Sequence, residues 1–141
     1  MWLLAITSVV NKAPNCSNVT AIPSSLWPPD HRLVAVAVSG VTDPDPGDRV
    51  TVNITGVTQD EPTNGRGDGD TSPDAALRGN SVLLRAERAQ QGNGRVYQIR
   101  FTATDTRGAS CTGSVRVGVP PNMKPGTVAI DDGQVYDATR P

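Results

Sequence analysis

Seven stretches of the chain alternate apolar with polar residues, or are dense in β-branched ones, and each is bounded by turn formers. They cover residues 3–10, 19–22, 33–41, 50–57, 81–87, 96–104 and 114–119. Alternation is clearest at Val34, Val36, Val38, at Tyr97, Ile99, Phe101, Ala103, and at Val115, Val117, Val119. Successive side chains of a strand point to opposite faces, so each set predicts one buried face. Between the runs lie Asp43-Pro44-Asp45-Pro46-Gly47-Asp48, a long polar loop over residues 59–75, and two compact turns at Gln91-Gly92-Asn93-Gly94 and Thr106-Arg107-Gly108. No stretch carries a helical period with caps. About seven short strands at this spacing predict an all-β, immunoglobulin-like antiparallel sandwich.

The ends read differently. Residues 1–14 hold an apolar strand, with Leu4, Ile6 and Val9 needing a partner. They echo residues 54–62 weakly at the same spacing, so they are either a strand of this domain or the remnant of a preceding repeat. A basic start and a small-x-small cleavage site are missing, which argues against a signal peptide. Residues 15–121 are expected to form the sandwich. Residues 122–141 follow Pro120-Pro121 and read as a linker or tail, with residues 128–130 the one stretch able to add a strand.

Composition sharpens this picture. Seventeen Val and fourteen Thr favour strands, and fourteen Gly with twelve Pro supply the turns. Twelve Asp against two Glu place acidity in loops, where Asp prefers to sit. A formal net charge of −1 and scattered Arg exclude a strongly basic nucleic-acid binder. No apolar run approaches the ~18 residues of a membrane-spanning helix. The expected molecule is a soluble, loop-rich module.

Cys16 and Cys111 are the two cysteines. With His31 as the lone histidine, a zinc site lacks ligands. One disulfide is the simplest reading, two buried free thiols the other. A bridge across 95 residues is worth about 4 kcal/mol in the chain-entropy model and persists in oxidising compartments. That predicts a secreted or cell-surface location.

The segment Leu26-Trp27-Pro28-Pro29-Asp30-His31-Arg32-Leu33-Val34 resembles the Leu-Trp-Pro-Pro-Asn-His-Lys opening of bacterial secreted, tandemly repeated Ig-like domains. Gly67-Asp68-Gly69-Asp70-Thr71-Ser72-Pro73-Asp74-Ala75, Leu84-Arg85-Ala86-Glu87-Arg88, Gly92-Asn93-Gly94-Arg95-Val96-Tyr97 and the blocks at residues 101–105 and 110–113 resemble the same family. The last strand is similar to hyalin-repeat modules. The Asp43–Asp48 turn, taken with Thr104-Asp105, is similar to cadherin-like domains. Asp30 stands where the family usually has Asn. The resemblance, over residues 15–121, implies an extracellular spacer or adhesive sandwich, often appended to enzymes, and no chemistry of its own.

Catalysis finds little support: no Gly-x-Ser-x-Gly elbow, phosphate-binding loop or paired Glu occurs. His31 is expected to pin the entry to its strand by a hydrogen bond, and Trp27 to plug the core or an edge, a sugar-stacking role being the alternative. Calcium is the chemical candidate, because it takes six to eight hard oxygens from flexible loops. One group is Asp68, Asp70 and Asp74 in the long loop, helped by Asp60, Glu61 or Glu87. The other is Asp43, Asp45 and Asp48 meeting Asp105, since the second-to-third and sixth-to-seventh strand loops share one end of an immunoglobulin-like sandwich. The long loop is the stronger expectation on spacing. Arg66-Gly67-Asp68 spells an integrin tripeptide, and Asn15, Asn18 and Asn53 head glycosylation sequons; triplets of both kinds arise readily by chance.

The leading functional reading is a non-enzymatic extracellular structural or adhesion module, stabilised by calcium and a disulfide, whose partners are neighbouring domains or copies of itself. A self-assembling surface-filament subunit, adding residues 3–10 to a neighbour's sheet edge, is the second. An accessory carbohydrate-binding domain of a secreted hydrolase, meeting surface glycans, is the third. Neither nucleic acid nor membrane insertion is expected.

Overall fold

A computed structural model describes residues 10–63 and 72–141. Among these residues eight strands run in order: β1 (Thr20–Ile22), β2 (Leu33–Ser39), β3 (Val50–Gln59), β4 (Ala75–Leu77), β5 (Ser81–Arg85), β6 (Arg95–Asp105), β7 (Ser110–Val119) and β8 (Tyr136–Asp137). They form two four-stranded sheets, ordered β1-β2-β5-β4 and β7-β6-β3-β8, with every pair antiparallel. The molecule is a β-sandwich, as the strand pattern predicts. Among the described residues no helix is long and apolar enough to cross a membrane.

Alternation sets the core. Val36 of β2, Val82 and Leu84 of β5, Tyr97, Ile99, Phe101 and Ala103 of β6, and Val115, Val117 and Val119 of β7 are all buried. Ile54 and Val57 of β3 are buried too, although three residues apart. A bulge between Ile54 and Gly56 shifts the register against β6 and turns both side chains inward. The sheets are tied along one side by Gly118, which exchanges backbone hydrogen bonds with Ser24 and Leu26. A Cys16–Cys111 disulfide fastens the approach to β1 onto β7, with Cα atoms 5.9 Å apart.

Several expectations need correction. β4 and β8 fall on segments read as loop and tail, being three and two residues long, too short to show a period. The tail docks on the sandwich. Ala138 is fully buried, its carbonyl accepts the N–H groups of both Asp74 and Ala75, and its own N–H reaches Val57 O. Gln134 donates from Nε2 to Val96 O and accepts from Thr58 Oγ1. Gly94, at φ +94°, makes room for this crossing: a Cβ there would sit 2.7 Å from Val119 O and 2.8 Å from Ala129 Cβ. Residues 128–130 form no strand. Of the predicted N-terminal strand, only Val10 is among the described residues; it is irregular and exposed.

Candidate metal centre

The described members of the two acidic groups singled out from sequence occupy opposite ends of β6. Asp105 closes that strand and Arg95 opens it, roughly 33 Å apart at about 3.3 Å per residue.

At the Arg95 end the carboxylates already face a cation. Arg95 has no exposed surface. Its Nε lies 3.0 Å from Glu61 Oε1, and its Nη1 lies 2.9 Å from Asp74 Oδ2 and 3.5 Å from Glu87 Oε1. Nη1 also donates to the Tyr97 hydroxyl at 3.1 Å, and that hydroxyl donates to Arg85 O at 2.7 Å. Asp74 Oδ2 further accepts from Gln59 Nε2, and Arg85 Nε stands 3.5 Å from Asp74 Oδ1. Glu87 Oε2 meets His31 Nδ1 at 2.7 Å. Asp60 accepts the N–H groups of Val96 and Asp132.

Burial pushes the Asp74 and Glu61 carboxyls above their ordinary values, outweighing Arg95. Burial also opposes the Arg95 charge, but Tyr97 and Asp74 overcome it and hold that pKa above the usual range. Burial likewise raises the Tyr97 phenol. This end is therefore a buried ion network centred on Arg95, in which Gln59 Oε1 is left without a donor among the described residues. Asp74, Asp60, Glu61 and Glu87, expected as calcium ligands, are engaged by Arg95, His31, Gln59 and backbone amides. Asp68 and Asp70, with the Arg66-Gly67-Asp68 tripeptide, lie outside the described residues. His31 pins its strand as expected: beyond the Glu87 contact, its N–H donates to Ala86 O and its carbonyl accepts from Arg85. Trp27 is only half-buried, and neighbouring Leu26 fills the core.

The Asp105 end has the opposite balance. Asp43, Asp45 and Asp48 of the β2–β3 loop converge with Asp105, each offering a ligand atom, all within 4.8 Å of one another. A group of that span could surround a metal ion.

Local turns build the group. Asp45 N donates to Asp43 Oδ1, Asp48 N to Asp45 O, and the N–H groups of Arg107 and Ala109 to Asp105 Oδ1. Thr106 Oγ1 donates to Asp48 Oδ1 at 2.8 Å. From the chain entering β1, Asn11 Nδ2 donates to Asp105 Oδ2 at 3.0 Å and Lys12 N to Asp45 Oδ2 at 2.7 Å.

Among the described residues, Asp43 Oδ2, Asp48 Oδ2 and Asn11 Oδ1 are buried acceptors with no donor, and the Asp48 side chain is only 6% exposed. Among the described residues the one ion pair reaching the four carboxylates is Arg107 Nε to Asp48 Oδ1, at 3.8 Å with Arg107 half-exposed. A hydrogen bond from Asp45 N holds the Asp43 carboxyl down, yet burial and the Asp48, Asp105 and Asp45 charges together raise it above its ordinary value. Burial works against the Asp105 charge, but hydrogen bonds from Asn11, Arg107 and Ala109 outweigh it and lower that pKa. Buried acceptors are ordinarily satisfied, and a cation held among the four carboxylates would satisfy those of Asp43 and Asp48.

Sequence reading brought together the four acids of this end correctly. It missed Asn11, for which no local signal exists, and Arg95, for which one did: it shares the inward register of Tyr97, Ile99, Phe101 and Ala103. Compared with protein-family models, with curated proteins and with solved structures, the chain matches none.

Proposed function

We propose that this chain is a non-enzymatic extracellular structural or adhesion module of immunoglobulin-like type, whose sandwich end is closed by calcium held between Asp43, Asp45, Asp48 and Asp105. The observation that carries the reading is the set of buried oxygens without donors inside a four-carboxylate cluster. Extracellular modules of this kind bind calcium with Kd on the order of 0.1–1 mM, a concentration met outside cells. The Cys16–Cys111 disulfide is compatible with that compartment. The strand order β1-β2-β5-β4 against β7-β6-β3 supports the immunoglobulin-like type. Partner domains or further copies are supported by the solvent face of the first sheet. By alternation it carries Ile22, Leu33, Ala35, Ala37 and Leu83, with Ile22 58% and Leu33 41% exposed. A sheet apolar on both faces is one that another surface commonly covers.

Calorimetric titration of chelated protein with calcium, paired with melting curves, tests the reading. Calcium at about 100 times Kd should add about 2.7 kcal/mol of stability by mass action. An Asp43→Asn, Asp48→Asn double variant should lose both the heat and the shift. No heat and no shift in the wild type would refute it.

A further inference from the structure

The inward face of the second sheet is apolar; its outward face is built of hydroxyls and amides. β6 turns Gln98, Arg100, Thr102 and Thr104 outward, and β7 turns Thr112, Ser114 and Arg116 beside them. Register sets Arg100 between Ser114 of β7 and Gly56 of β3. None of the outward residues of β3, β6 and β7 is acidic or aromatic.

Arg100 is the unanswered charge on this face. It is exposed, and among the described residues it has no ion pair and no side-chain hydrogen bond. Arg116, by contrast, stands 3.5 Å from Asp131. Gly56 leaves the place across from Arg100 open, since a Cβ there would meet nothing within 4 Å. Two hollows adjoin across the Arg100 side chain. One, of about 380 Å³, is lined by Thr55, Gln98, Thr102, Thr112 and Ser114. The other, of about 270 Å³, is lined by Thr55, Gly56, Thr58 and Asp137. Because Arg100 and Thr55 line both, the two make one shallow trough running across the strands. Asp137, the acid in that lining, is occupied by Thr139 and Arg140.

Ligand clefts of about 300–1,000 Å³ are ordinarily lined by apolar and aromatic side chains. A lining of hydroxyls and amides matches a ligand rich in hydroxyls instead. With no ring to stack on, a neutral sugar chain finds no anchor here. A sugar carboxylate finds one in Arg100, whose planar fork accepts it at two oxygens. Nucleic acid calls for stacking rings and a basic field, and the formal net charge is −1. A protein partner calls for an apolar or aromatic centre.

We infer that this trough binds an acidic oligosaccharide, with a uronate carboxylate on Arg100 and ring hydroxyls on Gln98, Thr102, Thr112 and Ser114. The inference names a partner class for the adhesion reading and does not rest on the calcium site.

The experiment titrates the full chain in calcium-free, low-salt buffer, where exposed charges are least screened. The probes are oligomers of galacturonate, mannuronate and hyaluronan, with methyl-esterified oligogalacturonate and poly-glutamate as controls. At least one of the three acidic sugars should bind and shift the backbone amide resonances of residues 98–102 and 112–114. Arg100→Ala should weaken that binding at least about tenfold, the worth of one charge-assisted hydrogen bond. Thr102→Val with Ser114→Val keeps the charge, removes two hydroxyls and should weaken it as well. Arg78→Ala, on the turn between β4 and β5, should leave it unchanged. No binding by any acidic sugar, equal binding by the ester or by poly-glutamate, or wild-type affinity in Arg100→Ala overturns the inference. None of these outcomes touches the calcium site, because no calcium is present.

Discussion

Arg95→Met is the most informative single perturbation of the fold. The side chain is fully buried, and its removal takes the guanidinium from Asp74 at 2.9 Å and Glu61 at 3.0 Å. Two charge-assisted hydrogen bonds at about 1.5–3 kcal/mol each bracket the loss at about 3–6 kcal/mol. Removing one partner of a buried pair costs about 3–5 kcal/mol, which agrees. Methionine returns apolar packing, so the lower part of that range, about 3–4 kcal/mol, is expected. The assay is the urea midpoint at pH 7, read at unchanged m-value.

The pH dependence follows from sign. Burial already raises the Asp74 and Glu61 carboxyls above their ordinary values, and without Arg95 they rise further. A raised carboxyl penalises the folded state only while ionised. The deficit is therefore full above the folded pKa and shrinks as pH falls through it toward the unfolded values. Adding Glu61→Gln and Asp74→Asn to the variant should recover part of the loss. A deficit below about 1 kcal/mol at pH 7, against the 3–5 kcal/mol of a broken buried pair, would refute the claim that Arg95 neutralises this end.

Two further perturbations test the frame. Cys16→Ser with Cys111→Ser should cost about 2–5 kcal/mol, read by thermal unfolding, because the bridge closes a 95-residue separation; a melting curve matching the oxidised protein would contradict this. Deleting residues 134–141 removes the three backbone hydrogen bonds of Ala138 and should cost about 3 kcal/mol at about 1 kcal/mol each. Unaltered stability would return the tail to the status of a tether.

The all-β class, six of the seven expected strands and the inward faces of β2, β6 and β7 were legible because a strand's period is two and burial selects one parity. The pairing of Asp43, Asp45 and Asp48 with Asp105 was legible because loop positions follow from strand order. The long loop looked the better calcium site because five acids in one segment are conspicuous, while the cations answering two of them, Glu61 and Asp74, lie at residues 85 and 95, in other strands. Net repulsion depends on distances, and spacing along a chain does not report distances across it.

Sequence alone thus determined which residues face inward, where the chain turns, and that two cysteines bracket the domain. Tertiary structure decided what local pattern cannot encode. It turned Arg95 from a turn-flanking residue into the buried counter-charge of Asp74 and Glu61. It folded the tail back so that Ala138 completes the edge beside β3 and β4. It also brought Asn11 to Asp105 across 94 residues of chain. The reason is common to all three. Alternation is enforced residue by residue through burial, whereas the partner of a buried charge, an open edge or an orphaned oxygen is chosen only when distant segments compete for the same space.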